Sequence, residues 1–167
     1  MTEIIHKSNL HAEPGWTQVD IPGHQNRTRT FISDDPDSDR LRIRYYCRDV
    51  DGRLVAKAWF GSGTEGPPGY AHGGSIAAVL DEAMGIAVSL TGRTAVTGKL
   101  TVRFLELLPV NNIAIAETEV LSEKHETVHV RACLRQSHGK IVAKAEGVFV
   151  PVTLQKLKRS TTVEETR

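Results

Sequence analysis

Apolar and polar positions change their rhythm along the chain, and each rhythm predicts an element. From residue 41, Ile43, Tyr45 and Cys47 alternate with Arg44, Tyr46 and Arg48, the period of a strand with one buried face. Asp51-Gly52 is a hairpin signal, and Leu54-Val55-Ala56-Lys57-Ala58-Trp59-Phe60 reads as the returning strand. A Gly/Pro-rich connection over 61–69 follows. Over 72–90 the rhythm lengthens: Ile76, Val79, Leu80, Ala83, Met84 and Ala87 recur at helical spacing and form one apolar stripe. Taken from 75 to 90 such a helix spans about 24 Å, and Gly92 stops it.

Strand patterns fill the rest. Val96, Leu100, Val102 and Phe104 alternate with Thr97, Lys99, Thr101 and Arg103, which puts Thr97 on the polar side of its strand, in phase with Lys99. Further strands are predicted over 113–121, through Val128, Val130, Ala132 and Leu134, and over 141–150, the last two joined by Ser137-His138-Gly139-Lys140. Residues 1–40 are polar and punctuated by Pro14-Gly15 and Pro22-Gly23, and read as a loop-rich N-terminal extension with at most a short turn of helix. The main domain covers 41–152. Residues 153–167, basic at Lys156, Lys158 and Arg159, read as a flexible tail. Two strands, one long helix and four strands exclude a repeating βαβ series. They predict an α+β fold with the helix against one antiparallel sheet, whose open edge suits a dimer that continues the sheet.

Composition narrows the function. The 167 residues are 40% hydrophobic and 25% charged, a globular balance, and the net charge of +1 gives no broad field for nucleic acid. Cys47 and Cys133 sit in strand-like runs without a CxxC and are expected as reduced, buried thiols. Asp81 and Glu82 break the longest apolar stretch, which falls short of the ~20 apolar residues of a membrane span. No secretory pattern opens the chain, so a soluble, cytoplasmic protein is expected. His6, His11, His24, His125, His129 and His138 fit no ligand spacing, and neither metal nor cofactor is implied.

Three features bear on chemistry. Gly66-Pro67-Pro68-Gly69-Tyr70-Ala71-His72-Gly73-Gly74 leads straight into the helix, whose free first-turn N–H groups make a site for an anion or oxyanion, or else a plain glycine-capped turn. Asp81 lies two turns later with small neighbours, Ala77, Ala78 and Gly85, which suits either a pocket wall or a solvated face. Thr97 is the third, although a strand threonine is ordinarily β-propensity alone. Carboxylate, amide and hydroxyl together describe thioester hydrolysis, the carboxylate activating water or attacking directly while the amide steadies the developing negative oxygen. No Gly-x-Ser-x-Gly elbow is present, which disfavours an α/β-hydrolase route.

The stretch 66–112, with GPPGYAHGGSIAAVLDEAMG and then AVTGKLTVRFLELLPV, resembles the hotdog-fold acyl-CoA thioesterases, in the branch of the phenylacetate-pathway and thioesterase-superfamily-member-4-type enzymes. The order of strands extends the likeness to 41–150. It implies a long central helix wrapped by a curved antiparallel sheet, homodimers and often homotetramers, an acyl-CoA substrate, and sites between subunits. Asp81 then matches the catalytic general base or nucleophile, and Gly73 the amide that polarises the carbonyl, from the facing subunit. His72 matches the histidine that shapes the turn, and Thr97 the hydroxyl that positions water or carboxylate. Gly74, Lys99 and Arg103 are the expected substrate-binding residues. Gly66 stands where some relatives have Asn or Gln. A non-catalytic acyl-CoA-binding protein on the same fold is the alternative reading.

Overall fold

The computed structural model describes residues 10–21, 31–32, 39–124 and 126–153. Its elements are β1 (Trp16–Gln18), β2 (Leu41–Arg48), β3 (Leu54–Phe60), α1 (Gly73–Leu90), β4 (Ala95–Phe104), β5 (Asn112–Glu123), β6 (Val128–Gln136) and β7 (Ile141–Pro151), with a short 3-10 turn at Ser62–Thr64. The strands form one seven-stranded sheet in the order β1-β2-β3-β5-β6-β7-β4, every pairing antiparallel. The helix packs on one face of it against β3 to β7, which is the α+β architecture expected.

Local chemistry accounts for the elements. Gly52 takes φ +67° in the β2–β3 turn, where its N–H donates to the Arg48 carbonyl at 2.7 Å. The Arg48 guanidinium, at 2.6 Å, holds the Asp51 carboxyl in that turn down to about 2. Where the helix lies, the sheet is lined with small residues: Ala56 pairs with Ala116, Ala58 with Ala114, and Ala132 with Ala145. That low floor lets Val79, Leu80, Ala83 and Met84 bury completely. Gly147 is the tightest point, since a Cβ there would stand 2.6 Å from the Phe149 ring and 3.3 Å from Met84.

The helix is 18 residues long with a mean hydropathy of 1.4, so by length and composition it reaches the range of a membrane span. The expectation that it falls short is corrected. Its apolar stripe is buried against the sheet, which makes it a core helix.

The N-terminal extension differs from its loop-rich reading. Trp16–Gln18 adds an edge strand beside β2, and Leu10 packs with Trp59 and Ile113 on the face turned away from the helix. Lys57 ties this segment down, donating to the His11 carbonyl at 3.1 Å and to Glu13 at 2.5 Å. A three-residue strand is too short to show a period in sequence. The basic tail at 156–159 lies outside the described residues.

Both cysteines are free, as expected, but only half-buried. Burial raises both thiols above their ordinary range, with Asp49 adding to Cys47 and Glu117 to Cys133. Both should therefore alkylate with iodoacetamide at pH 8 more slowly than an unhindered peptide thiol, because less thiolate is present. A second expectation concerns Gly61, where a Cβ would stand 1.9 Å from the Asp39 carbonyl oxygen and 2.3 Å from the Trp59 ring. Gly61→Ala should cost about 1–3 kcal/mol in thermal or urea unfolding.

Candidate active site

The loop before the helix is tied at almost every turn. Tyr70 N–H donates to the Pro67 carbonyl at 2.9 Å across a turn with Pro68 second and Gly69, φ +81°, third. Ala71 N–H reaches Leu108 O at 2.8 Å and His72 N–H reaches Thr64 O at 2.7 Å. Gly66 is pressed on the same turn: a Cβ there would lie 2.8 Å from the His72 Cα. The loop closes on His72 at the position where some thioesterases have an amide side chain.

His72 is the N-cap, extended at φ −63° and ψ 138°, and its Nδ1 accepts the Gly74 N–H at 2.8 Å. With Nδ1 used as the acceptor, Nε2 is the ring nitrogen left to other partners. Ser75 and Ile76 N–H turn back to the His72 carbonyl at 3.0 and 3.3 Å. Among the described residues the Gly73 N–H has no acceptor. It is left at the positive end of the helix dipole, beside the half-exposed ring of Phe104, which lies 3.3 Å from where a Gly73 Cβ would stand.

Two turns along, Asp81 is half-buried, and Thr97 donates to its Oδ1 at 2.8 Å. The alternation in β4 places Thr97 on the outer face with Lys99, and the structure corrects this. The register slips between Thr97 and Lys99, so that Thr97 pairs with the core residue Phe149 while Lys99 pairs with Val148. Gly98 is the surplus residue of a β-bulge, and the bulge turns the Thr97 hydroxyl toward the helix. Phe149 also lies under the helix, 3.6 Å from a Cβ at Gly85, one turn past Asp81. Gly98 is not among the residues expected from the sequence, although a glycine within a strand pattern is its signal, while Phe104 belongs to the Phe…Pro that follows Thr97 in the stretch carrying the resemblance.

The remaining expected residues are placed apart. The Gly74 N–H is taken by the cap. Lys99 and Arg103 pair in register with Val148 and Lys144 on the outer face of β4, both exposed, opposite the face that carries Asp81. Among the described residues no three His, Cys, Asp or Glu side chains cluster to hold a metal.

In one protomer Asp81 and Gly73 are eight residues apart on a straight helix, about 12 Å along its axis. They cannot meet at one carbonyl carbon. What the chain displays is two half-sites: a hydroxyl-held carboxylate, and an unused amide at a helix start.

Known proteins are similar to this chain in sequence and in fold. The family model for the thioesterase superfamily matches residues 68–143. Acyl-coenzyme A thioesterase THEM5 of Homo sapiens is 35% identical over 97 residues, 57% of this chain and 39% of that protein. Acyl-coenzyme A thioesterase THEM4 of Xenopus laevis is 30% identical over 138 residues, 80% of this chain and 61% of that protein. The chain thus spans less than two thirds of these curated relatives. Among solved structures, the E. coli PaaI protein from the phenylacetic acid degradation operon is 21% identical with a TM-score of 0.62, covering 66% of this chain and 80% of that one. A Bacillus halodurans protein, BH2602, solved with CoA, is 26% identical with a TM-score of 0.57, covering 61% and 69%. One long helix on a single antiparallel sheet is the hotdog fold of these neighbours, and the glycine-led helix start lies inside the segment, 68–143, that is similar to the thioesterase superfamily.

Proposed function

We propose that this protein hydrolyses acyl-CoA thioesters at a site shared between two copies of the chain. The observation that carries the reading is the Thr97–Asp81 hydrogen bond, which holds a carboxylate beside an open sheet edge. β4 is that edge, and on or beside it Val96, Phe104, Leu105, Leu107 and Val150 leave large apolar surface in water. Antiparallel pairing of β4 with its own copy about a two-fold axis sets the Thr97 end of one strand beside the Phe104 end of the other. The Asp81 carboxylate of one protomer is thereby brought toward the unused Gly73 N–H of its partner. The relatives named as acyl-coenzyme A thioesterases and the CoA bound by BH2602 support the substrate.

The chemistry follows from these groups. Water, its proton taken by Asp81, or the Asp81 carboxylate itself, adds to the thioester carbonyl carbon. The carbonyl oxygen becomes negative and accepts the Gly73 N–H. Collapse breaks the C–S bond, the CoA thiolate leaves and is protonated, and the products are the free acid and CoA. Where Asp81 attacks, water then hydrolyses the acyl anhydride and returns the carboxylate.

The test is complementation between Asp81→Ala and Gly73→Pro chains, each inactive alone in a free-thiol release assay. Refolded together in equal amounts, half of the dimers are mixed, each with one intact site. About a quarter of the parental turnover should return. No recovery would overturn the shared site, and tight acyl-CoA binding by the parent without thiol release would favour a binding protein. Thr97→Val should lower kcat/KM about tenfold through loss of a hydrogen bond to a charged group, with Thr97→Ser restoring most of it.

A further inference from the structure

Among the described residues, the sheet face turned away from the helix is covered at one end only. The N-terminal segment seals Trp59 and Ile113 there, while β4 to β7 leave a groove of about 590 Å³ at the other end, within the range of small-molecule sites. Five arginine or lysine side chains line it against three glutamates, in a chain whose net charge is only +1.

Two of the glutamates are already neutralised. Glu119 is held by Arg53 at 2.6 Å and by Arg131, and Glu117 by Arg135 at 2.9 Å and Arg48 at 3.5 Å. Arg103 and Lys144 differ from those cations. They are register partners on neighbouring strands, so their side chains rise from the same face side by side. Among the described residues neither forms an ion pair within 4 Å, the groove's third glutamate, Glu146, standing in register between Thr101 and Arg131. Like charges at directly facing positions repel, and the groove brings two together where charges of both signs are at hand. Thr101, in the same groove and two residues before Arg103 on the same strand, adds a hydroxyl. A guanidinium fork, an ammonium and a hydroxyl form a donor set that suits a phosphoryl group.

We propose that this groove binds a phosphorylated small anion between Arg103 and Lys144, at a site separate from the Asp81 carboxylate on the opposite face. The assignment uses no residue of the two half-sites, but it moves Arg103, expected from the sequence to bind acyl-CoA, to a site on the opposite face.

The experiment is calorimetric titration of the full chain with inorganic pyrophosphate at low ionic strength. Binding with a Kd below about 1 mM is expected, weakening as salt is added. Arg103→Ser and Lys144→Ser should each raise that Kd at least about tenfold without lowering Tm, since each removes one member of a repelling pair. Asp81→Asn should bind pyrophosphate as the parent does. No binding by the parent, or unchanged binding in both serine variants, would overturn the proposal. So would loss of binding in Asp81→Asn, which would place the anion at the carboxylate.

Discussion

Asp81→Ala should fold and associate as the parent does and lose thioester turnover by about 10²- to 10⁴-fold, the range for removal of a general base. Its structural role is small. Among the described residues the half-buried side chain accepts one hydrogen bond, from an exposed threonine, so the loss in unfolding free energy should stay within about 1.5 kcal/mol. Asp81→Asn sharpens the test, because an amide oxygen still accepts the Thr97 hydroxyl but neither takes a proton from water nor attacks. It should fail as completely as alanine. Circular dichroism and sedimentation check the fold and assembly, and thiol release with a panel of acyl-CoAs checks the turnover. Parental turnover in either variant would remove Asp81 from the chemistry.

Gly73→Pro should lower turnover about 10²- to 10³-fold, the usual cost of one oxyanion donor, while the helix remains. Proline suits this position for local reasons. Gly73 is the first helical residue, where the N–H has no helical acceptor and proline's fixed φ is already correct. His72 before it is extended, the conformation that a following proline favours. The control is Gly73→Ala, which retains the N–H and asks only that the half-exposed Phe104 ring yield a few tenths of an ångström. Alanine should therefore keep most of the turnover and proline almost none. Equal loss in both would mean that crowding against Phe104, not the missing donor, is responsible.

The two variants together show how far the sequence reaches. The helix, the six long strands and the glycine-led helix start were legible because each rests on a period or on residues adjacent in the chain. β1 was not, since three residues display no period and its pairing partner Arg48 lies far along the chain. Thr97 was placed on the wrong face because alternation was carried through Gly98 without a break, while the register slips there. Lys99 and Arg103 are expected to bind substrate, but their positive charge does not say which face of a strand it occupies. The distance between Asp81 and Gly73 needs only helical rise. In the proposed shared site they meet across two chains, which no pattern within one chain can display.

The surplus residue in β4 has a consequence for aligning relatives of this protein. A homologue without it would keep its hydroxyl over the same carboxylate, yet that hydroxyl would stand one position nearer in sequence to the aromatic that ends the strand. An alignment that forbids gaps within strands would match Thr97 to the wrong column, and a working enzyme would look as though it lacked the residue.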